Sequence, residues 1–154
     1  MTTKADFNAE EWATLVEGPL LAGMGVVAAE RGGTLRESLA VGKTYAAARQ
    51  HQGESSLLDE VVASPPALDP SRLRAGGQDV QQLATSRLND AVRLVEAKAS
   101  ADEAQAYKQF VVNVAEAVAN AHREGGFAGI GGKPVSDKEQ AALDKIRSTL
   151  GLAG

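Results

Sequence analysis

The sequence contains no cysteine, few aromatic residues and no surplus of positive charge. Without cysteine, disulfides, thiolate nucleophiles and cysteine-ligated metals are excluded. Because aromatic residues make up only 4% of the chain, its apolar content comes from Ala, Val and Leu, which suit close helix–helix packing. The formal net charge of -4 argues against a nucleic-acid-binding protein, since such proteins neutralise phosphates with basic surfaces.

Long apolar runs are also missing. The most apolar stretch, Leu20 to Ala29, is shorter than the roughly 20 residues that span a bilayer, so we expect a buried core helix and no membrane span. Residues Met1 to Asp6 lack the basic-then-apolar order of a secretory signal. An acidic, cysteine-free chain without such a signal predicts a cytoplasmic protein.

No segment shows the period-two alternation of a β-strand, whereas several show helical spacing of apolar residues. We therefore predict an all-α, single-domain bundle of five to six helices over residues 1–154. Two halves, about 8–63 and 78–151, are joined by the Pro/Gly-rich crossover 64–77. Neither half alone offers a sufficient core, which favours one domain over two.

Capping residues set the expected helix bounds. Gly18-Pro19 lies inside the first helix, and because proline removes a backbone donor we expect a kink or a break there. Gly151 is expected to stop the last helix. The predicted helices run from Asn8 to Glu30 or Arg31, Thr34 to about Gln50, Ser56 to Ala63 with Ser55 as cap, about Asp79 to Lys98, Ser100 to Arg123 or Glu124, and Ser136 to Leu150.

One device occurs twice: a helix ends at a glycine pair, and a hydroxyl with a glutamate three residues later starts the next helix. The repetition predicts a pseudo-twofold helix–turn–helix repeat. The restarting pairs are Thr34 with Glu37 and Ser136 with Glu139.

The second turn is a glycine-rich loop that invites comparison with phosphate-binding loops. A Walker A motif ending at Lys133 needs glycine where Phe127 stands and a hydroxyl where Pro134 stands, so the motif is absent. A purely structural turn is the interpretation we favour. Two others stay open: an anion cradle at the start of the last helix, and a partner-binding loop with apolar contacts from Phe127 and Ile130. The cradle residues would be Gly131, Gly132, Lys133 and Ser136.

Metal binding and catalysis have less support. His51 and His122 belong to no metal-ligand pattern. A pseudo-twofold fold could bring acidic residues of the two turns together as a hard-cation site, although helix capping and helix-end charge explain the same residues. No nucleophile motif is present, so we predict no catalytic residue and no cofactor. The acidic candidates are Glu30, Glu37, Asp137 and Glu139.

The two turns resemble those of the tellurite-resistance TerB-like families, which are all-helical and pseudo-symmetric. The first match is residues 29–32 with Glu37; the second is 132–136 with Glu139, followed by Leu143, Ile146 and 150–151. Both turns lack the aspartate that those families place before the turn glycine. The resemblance implies a cytoplasmic bacterial accessory protein in a stress or membrane-linked context, rather than an enzyme.

These observations together predict a non-enzymatic interaction protein that binds a protein partner through a helix face or the Phe127–Ile130 loop. A homo-oligomer is left open as the form of that interaction. The alternative is a sensor of a small ligand, anion or divalent cation that uses the glycine-rich turns. Nucleic acid is not an expected partner, and no membrane span is expected.

Overall fold

The computed structural model describes residues 3–29, 35–50, 53, 55–64, 80–125 and 137–152, and of 27–29, 35–40, 80–81, 121–125 and 137–139 it describes the backbone alone. Within these ranges the secondary structure is helical and contains no strand, as predicted. A 3-10 turn, Lys4–Asp6, precedes six helices. They are α1 (Ala9–Ala29), α2 (Leu35–Gln50), α3 (Ser56–Ala63), α4 (Val80–Lys98), α5 (Ala101–Gly125) and α6 (Asp137–Leu150).

Helix α1 is the central element of the packing. It contacts α4 and α5 most extensively and also contacts α6. Helix α2 packs along α5, and the short α3 contacts both α2 and α5. Helices from both predicted halves therefore pack on each other, whereas residues 65–79 lie outside the described part of the chain.

Small side chains allow α1 to approach its neighbours closely. A Cβ atom on Gly23 would lie 3.1 Å from a Val118 methyl group of α5, and one on Gly25 would lie 3.5 Å from the Ala84 methyl group of α4. The predicted apolar stripes of the last two helices are confirmed as core. Their buried members are Tyr107, Phe110, Val111, Val114 and Val118 of α5 and Leu143, Ile146 and Leu150 of α6.

The capping residues act largely as predicted. Asn8 Oδ1 accepts the Glu11 amide at 2.8 Å while Glu11 Oε1 accepts the Asn8 amide at 2.9 Å, which completes a capping box at the start of α1. The Ser55 and Ser100 hydroxyls accept backbone amides three residues later. At Gly151, whose φ is 74°, amides bond back to the Ser148 and Arg147 carbonyls in a Schellman arrangement that ends α6.

Of the kink or break expected at Gly18-Pro19, the break does not occur, because α1 continues through Pro19. Proline at position 19 cannot donate to the carbonyl of Leu15, four residues earlier. The hydroxyl of Tyr107, from α5, donates to that carbonyl at 2.7 Å. A tertiary hydrogen bond thus replaces the missing helical one, and Gly18 leaves room for it because a Cβ there would overlap the Tyr107 hydroxyl.

The paired glycine turns lie outside the described residues, apart from helical residues at their edges. Thr34 and Ser136 are among the residues not described, so the capping boxes predicted there stay predictions.

Candidate functional site

The predicted site residues fall where side chains are not described. Glu30, Phe127, Ile130, Gly131, Gly132, Lys133 and Ser136 lie outside the described residues; Glu37 lies in α2, and Asp137 and Glu139 lie in α6, with undescribed side chains. The structure therefore neither brings these residues together nor separates them. Among the side chains it does describe, no group of three His, Asp or Glu is placed to share a metal ion.

The first feature of interest is one face of α1. Ala13, Leu20 and Met24 follow helical spacing and so share a side of the helix. All three are half-buried, whereas Leu15, Ala22 and Val26 on the opposite side are fully buried. Glu17 lies between Ala13 and Leu20 on this side and is buried, so the accessible apolar part of this strip is Leu20 with Met24, one turn apart.

The sequence predicted Leu20 and Met24 to lie in a buried core helix. Helix α1 is apolar almost all round, so its pattern does not distinguish the face that packs inward from the face that remains accessible. Only the positions of α4 and α5, which cover the Leu15–Val26 side, make the distinction.

A second feature is the contact of segment Thr3–Phe7 with the ends of two helices. The Lys98 ammonium, at the end of α4, donates to the Asp6 carbonyl oxygen at 3.1 Å and to Glu11 at 2.8 Å. It also lies 5.4 Å from the Phe7 ring centroid. These contacts explain a lowered pKa for Glu11: its carboxylate accepts first the Asn8 amide and second the Lys98 ammonium, and both favour the charged form.

The same segment reaches α3 and the single tryptophan. The Lys4 amide donates to the Glu60 carboxylate of α3. The Lys4 ammonium lies 5.9 Å from the Trp12 ring centroid, and the Trp12 and Phe7 rings are 6.0 Å apart. The contact between Lys4 and Glu60 joins residues 56 positions apart, so no local pattern predicts it.

A third feature is a small satellite core between α2, α3 and α5, formed by Tyr45, Val62, Phe110 and Val114. Tyr45 packs edge-on against Phe110 with ring centroids 5.0 Å apart. Tyr45 is only 1% exposed, and within the described chain its hydroxyl has no hydrogen-bond partner. Burial raises the pKa of Tyr45 to about 12, with a smaller opposing effect from the positive charge of Arg49.

Comparison with protein-family models, with curated proteins and with solved structures found no match for this chain. None of the helices, within the part of the chain that the structure describes, is long and apolar enough to cross a membrane. Functional inference therefore starts from the three features above.

Proposed function

We propose that this chain is a non-catalytic interaction protein that binds a protein partner through the Ala13–Leu20–Met24 strip of α1. The half-exposure of Leu20 and Met24 on the central helix carries the proposal. Apolar surface gains free energy when a partner removes it from water. Methionine adapts to differently shaped partners, and it is enriched at interfaces.

The central position of α1 supports this role. A rigid helix held on its other side by α4 and α5 presents the strip with little conformational entropy left to lose on binding. The partner proposed is an amphipathic helix or a second copy of this chain, because either presents a complementary apolar stripe.

The test compares two variants with the wild type. Leu20→Gln with Met24→Gln makes the strip polar, and Leu94→Gln is the matched control because Leu94 is a half-buried leucine on α4 that packs against the main core. Captured proteins from cell lysate and sedimentation velocity are measured for wild type, strip variant and control, with melting temperatures to confirm that each variant folds. We expect the strip variant alone to lose a captured protein or its self-association. Equal capture and equal sedimentation for all three would refute the proposal.

The finer expectations from the sequence are part of the same proposal. The TerB-like resemblance supports a cytoplasmic, stress-related accessory role and a pseudo-twofold relation between the two turns. The Phe127–Ile130 loop is proposed as a second contact. A Phe127→Ala, Ile130→Ala variant in the same capture experiment tests the loop, and an unchanged set of captured proteins would remove it.

A further inference from the structure

Helix α3 is held in place by three polar contacts from different parts of the chain. The Lys4 amide donates to the Glu60 carboxylate. The Gly53 amide donates to Asp59 Oδ2 at 2.8 Å, and Arg49 Nε donates to the Val62 carbonyl oxygen at 2.8 Å. Because these contacts lie at or near the surface, water competes with each of them and each is individually weak.

The apolar anchoring of α3 is compact. Leu57 and Val61 are fully buried in the main core, and Val62 is fully buried in the satellite core. Eight residues are too few for a stable isolated helix, so α3 depends on these three side chains and the polar contacts. Helices α4 and α5 are longer, and among the described residues they contribute five and nine buried apolar side chains, against three from α3.

The satellite core beneath α3 contains an unfavourable group. Val62 and the partly buried Leu58 pack against the cluster that holds Tyr45, whose hydroxyl is buried and, among the described residues, without a hydrogen-bond partner. Such a hydroxyl has lost its water and gained nothing in return. Water would reach the Tyr45 hydroxyl if α3 moved away. The closed position of α3 therefore carries the desolvation free energy of this hydroxyl, and an open position does not.

We propose that α3 is a lid that opens as a local unit, without global unfolding, and exposes the Tyr45–Phe110 pair to solvent. Segment Thr3–Phe7 acts as its strap through the bond from Lys4 to Glu60. This inference is independent of the proposed binding strip on α1.

Native-state hydrogen exchange of the full chain tests the lid, because local openings are read from amides that exchange faster than the global rate. We expect α3 amides to exchange at least tenfold faster than the buried α5 amides between Val111 and Ala115. Exchange of α3 at the α5 rate would overturn the proposal.

Two variants test the residues assigned to the lid. Tyr45→Phe removes the unpartnered hydroxyl and so stabilises the closed state relative to both the open and the unfolded state, in which the hydroxyl is solvated. We therefore expect the exchange of α3 amides and of α5 amides to slow by the same factor, about tenfold. If α5 slows while α3 is unchanged, Tyr45 stays buried when α3 opens and the lid is refuted. Faster α3 exchange would refute it equally.

Glu60→Ala removes the strap contact while raising intrinsic helix propensity. We expect α3 exchange to accelerate about two- to fivefold, and α5 exchange by the same factor, because the contact is lost in both the open and the unfolded state. Acceleration of α5 alone would show that the strap stays in place when α3 opens. The matched control is Asp90→Ala, an equal change of charge at an exposed position of α4, which should leave α3 exchange unaltered. Equal rates for Glu60→Ala and wild type would remove the strap from the proposal.

Discussion

At the scale of single residues, the contact between Tyr107 and Leu15 is the most consequential one in the fold. Tyr107 is fully buried, and its hydroxyl donates to a carbonyl that Pro19 leaves without its usual helical partner. A buried carbonyl without a donor destabilises the folded state by the desolvation free energy of the group. The proline is therefore tolerated in mid-helix because of a residue on another helix.

Tyr107→Phe is expected to destabilise the protein by about 1–3 kcal/mol, since it leaves the Leu15 carbonyl unsatisfied. Pro19→Ala supplies a backbone N–H at position 19 that can donate to the same carbonyl. Pro19→Ala should therefore stabilise the Tyr107→Phe variant, in which the Leu15 carbonyl lacks a donor. It should not stabilise the wild type to the same extent, because Tyr107 already donates to that carbonyl. Denaturant unfolding of the two single variants and the double variant gives the coupling free energy. Strict additivity would show that the carbonyl does not depend on the hydroxyl.

Gly18 offers a second prediction, with Gly42 as its matched control. A methyl group at position 18 would overlap the Tyr107 hydroxyl, and the buried ring has little room to move, so we expect Gly18→Ala to destabilise the fold by about 1–3 kcal/mol. Gly42 also lies within a helix but faces open space. Gly42→Ala should therefore stabilise the protein by about 0.5–1 kcal/mol. Thermal melts compare the two, and equal effects at both positions would contradict the packing argument.

At the scale of elements, helix bounds were predictable where the signal was local. The bounds of α3 and the C-terminal end of α2 match the prediction, because Ser55 and the apolar spacing act within a few residues. The prediction that the helix could break at Pro19 was wrong, because the residue that compensates for the proline, Tyr107, is 92 positions away from Leu15 in the chain. The accessible face of α1 and the contacts of Lys98 likewise depend on tertiary packing and have no local signal.

The capping box of α1 gives an element-scale prediction with a defined pH dependence. The pKa of the Glu11 carboxyl group is lowered in the folded state, so ionised Glu11 stabilises the fold above pH 4.5, the ordinary pKa of the group. That contribution is lost as pH falls through the pKa of Glu11 in the folded state. Glu11→Gln should be less stable than wild type at neutral pH. The difference should shrink below pH 4.5, because wild-type Glu11 then becomes neutral as well.

Urea unfolding followed by the fluorescence of Trp12, the chain's single tryptophan, measures this difference at each pH. Glu10→Gln is the control, since Glu10 is an exposed carboxylate in the same turn. A difference between Glu11→Gln and wild type that persists unchanged in acid would mean that the charge of Glu11 does not stabilise the capping box.

At the scale of the whole molecule, the two tyrosines link the fold to alkaline pH. The chain contains two tyrosines and both are buried, Tyr45 in the satellite core and Tyr107 against α1. Burial is the main cause that raises each pKa above 10, to about 12 for Tyr45. The folded state therefore favours the neutral phenols, and their contribution to stability is complete below pH 10.

As pH rises from 10 towards 12, the unfolded state ionises its tyrosines first and gains free energy, so the stability of the fold decreases. We expect the ultraviolet absorbance of tyrosinate to increase together with the loss of helical circular dichroism, because neither phenol ionises readily while it is buried. Tyr45→Phe removes one of the two groups, and its stability advantage over wild type should grow by about 2 kcal/mol between pH 10 and pH 12. A tyrosinate signal that precedes the loss of helix would show that water reaches a phenol in the native state. Because the opening of α3 exposes Tyr45, Tyr45 would then ionise before Tyr107.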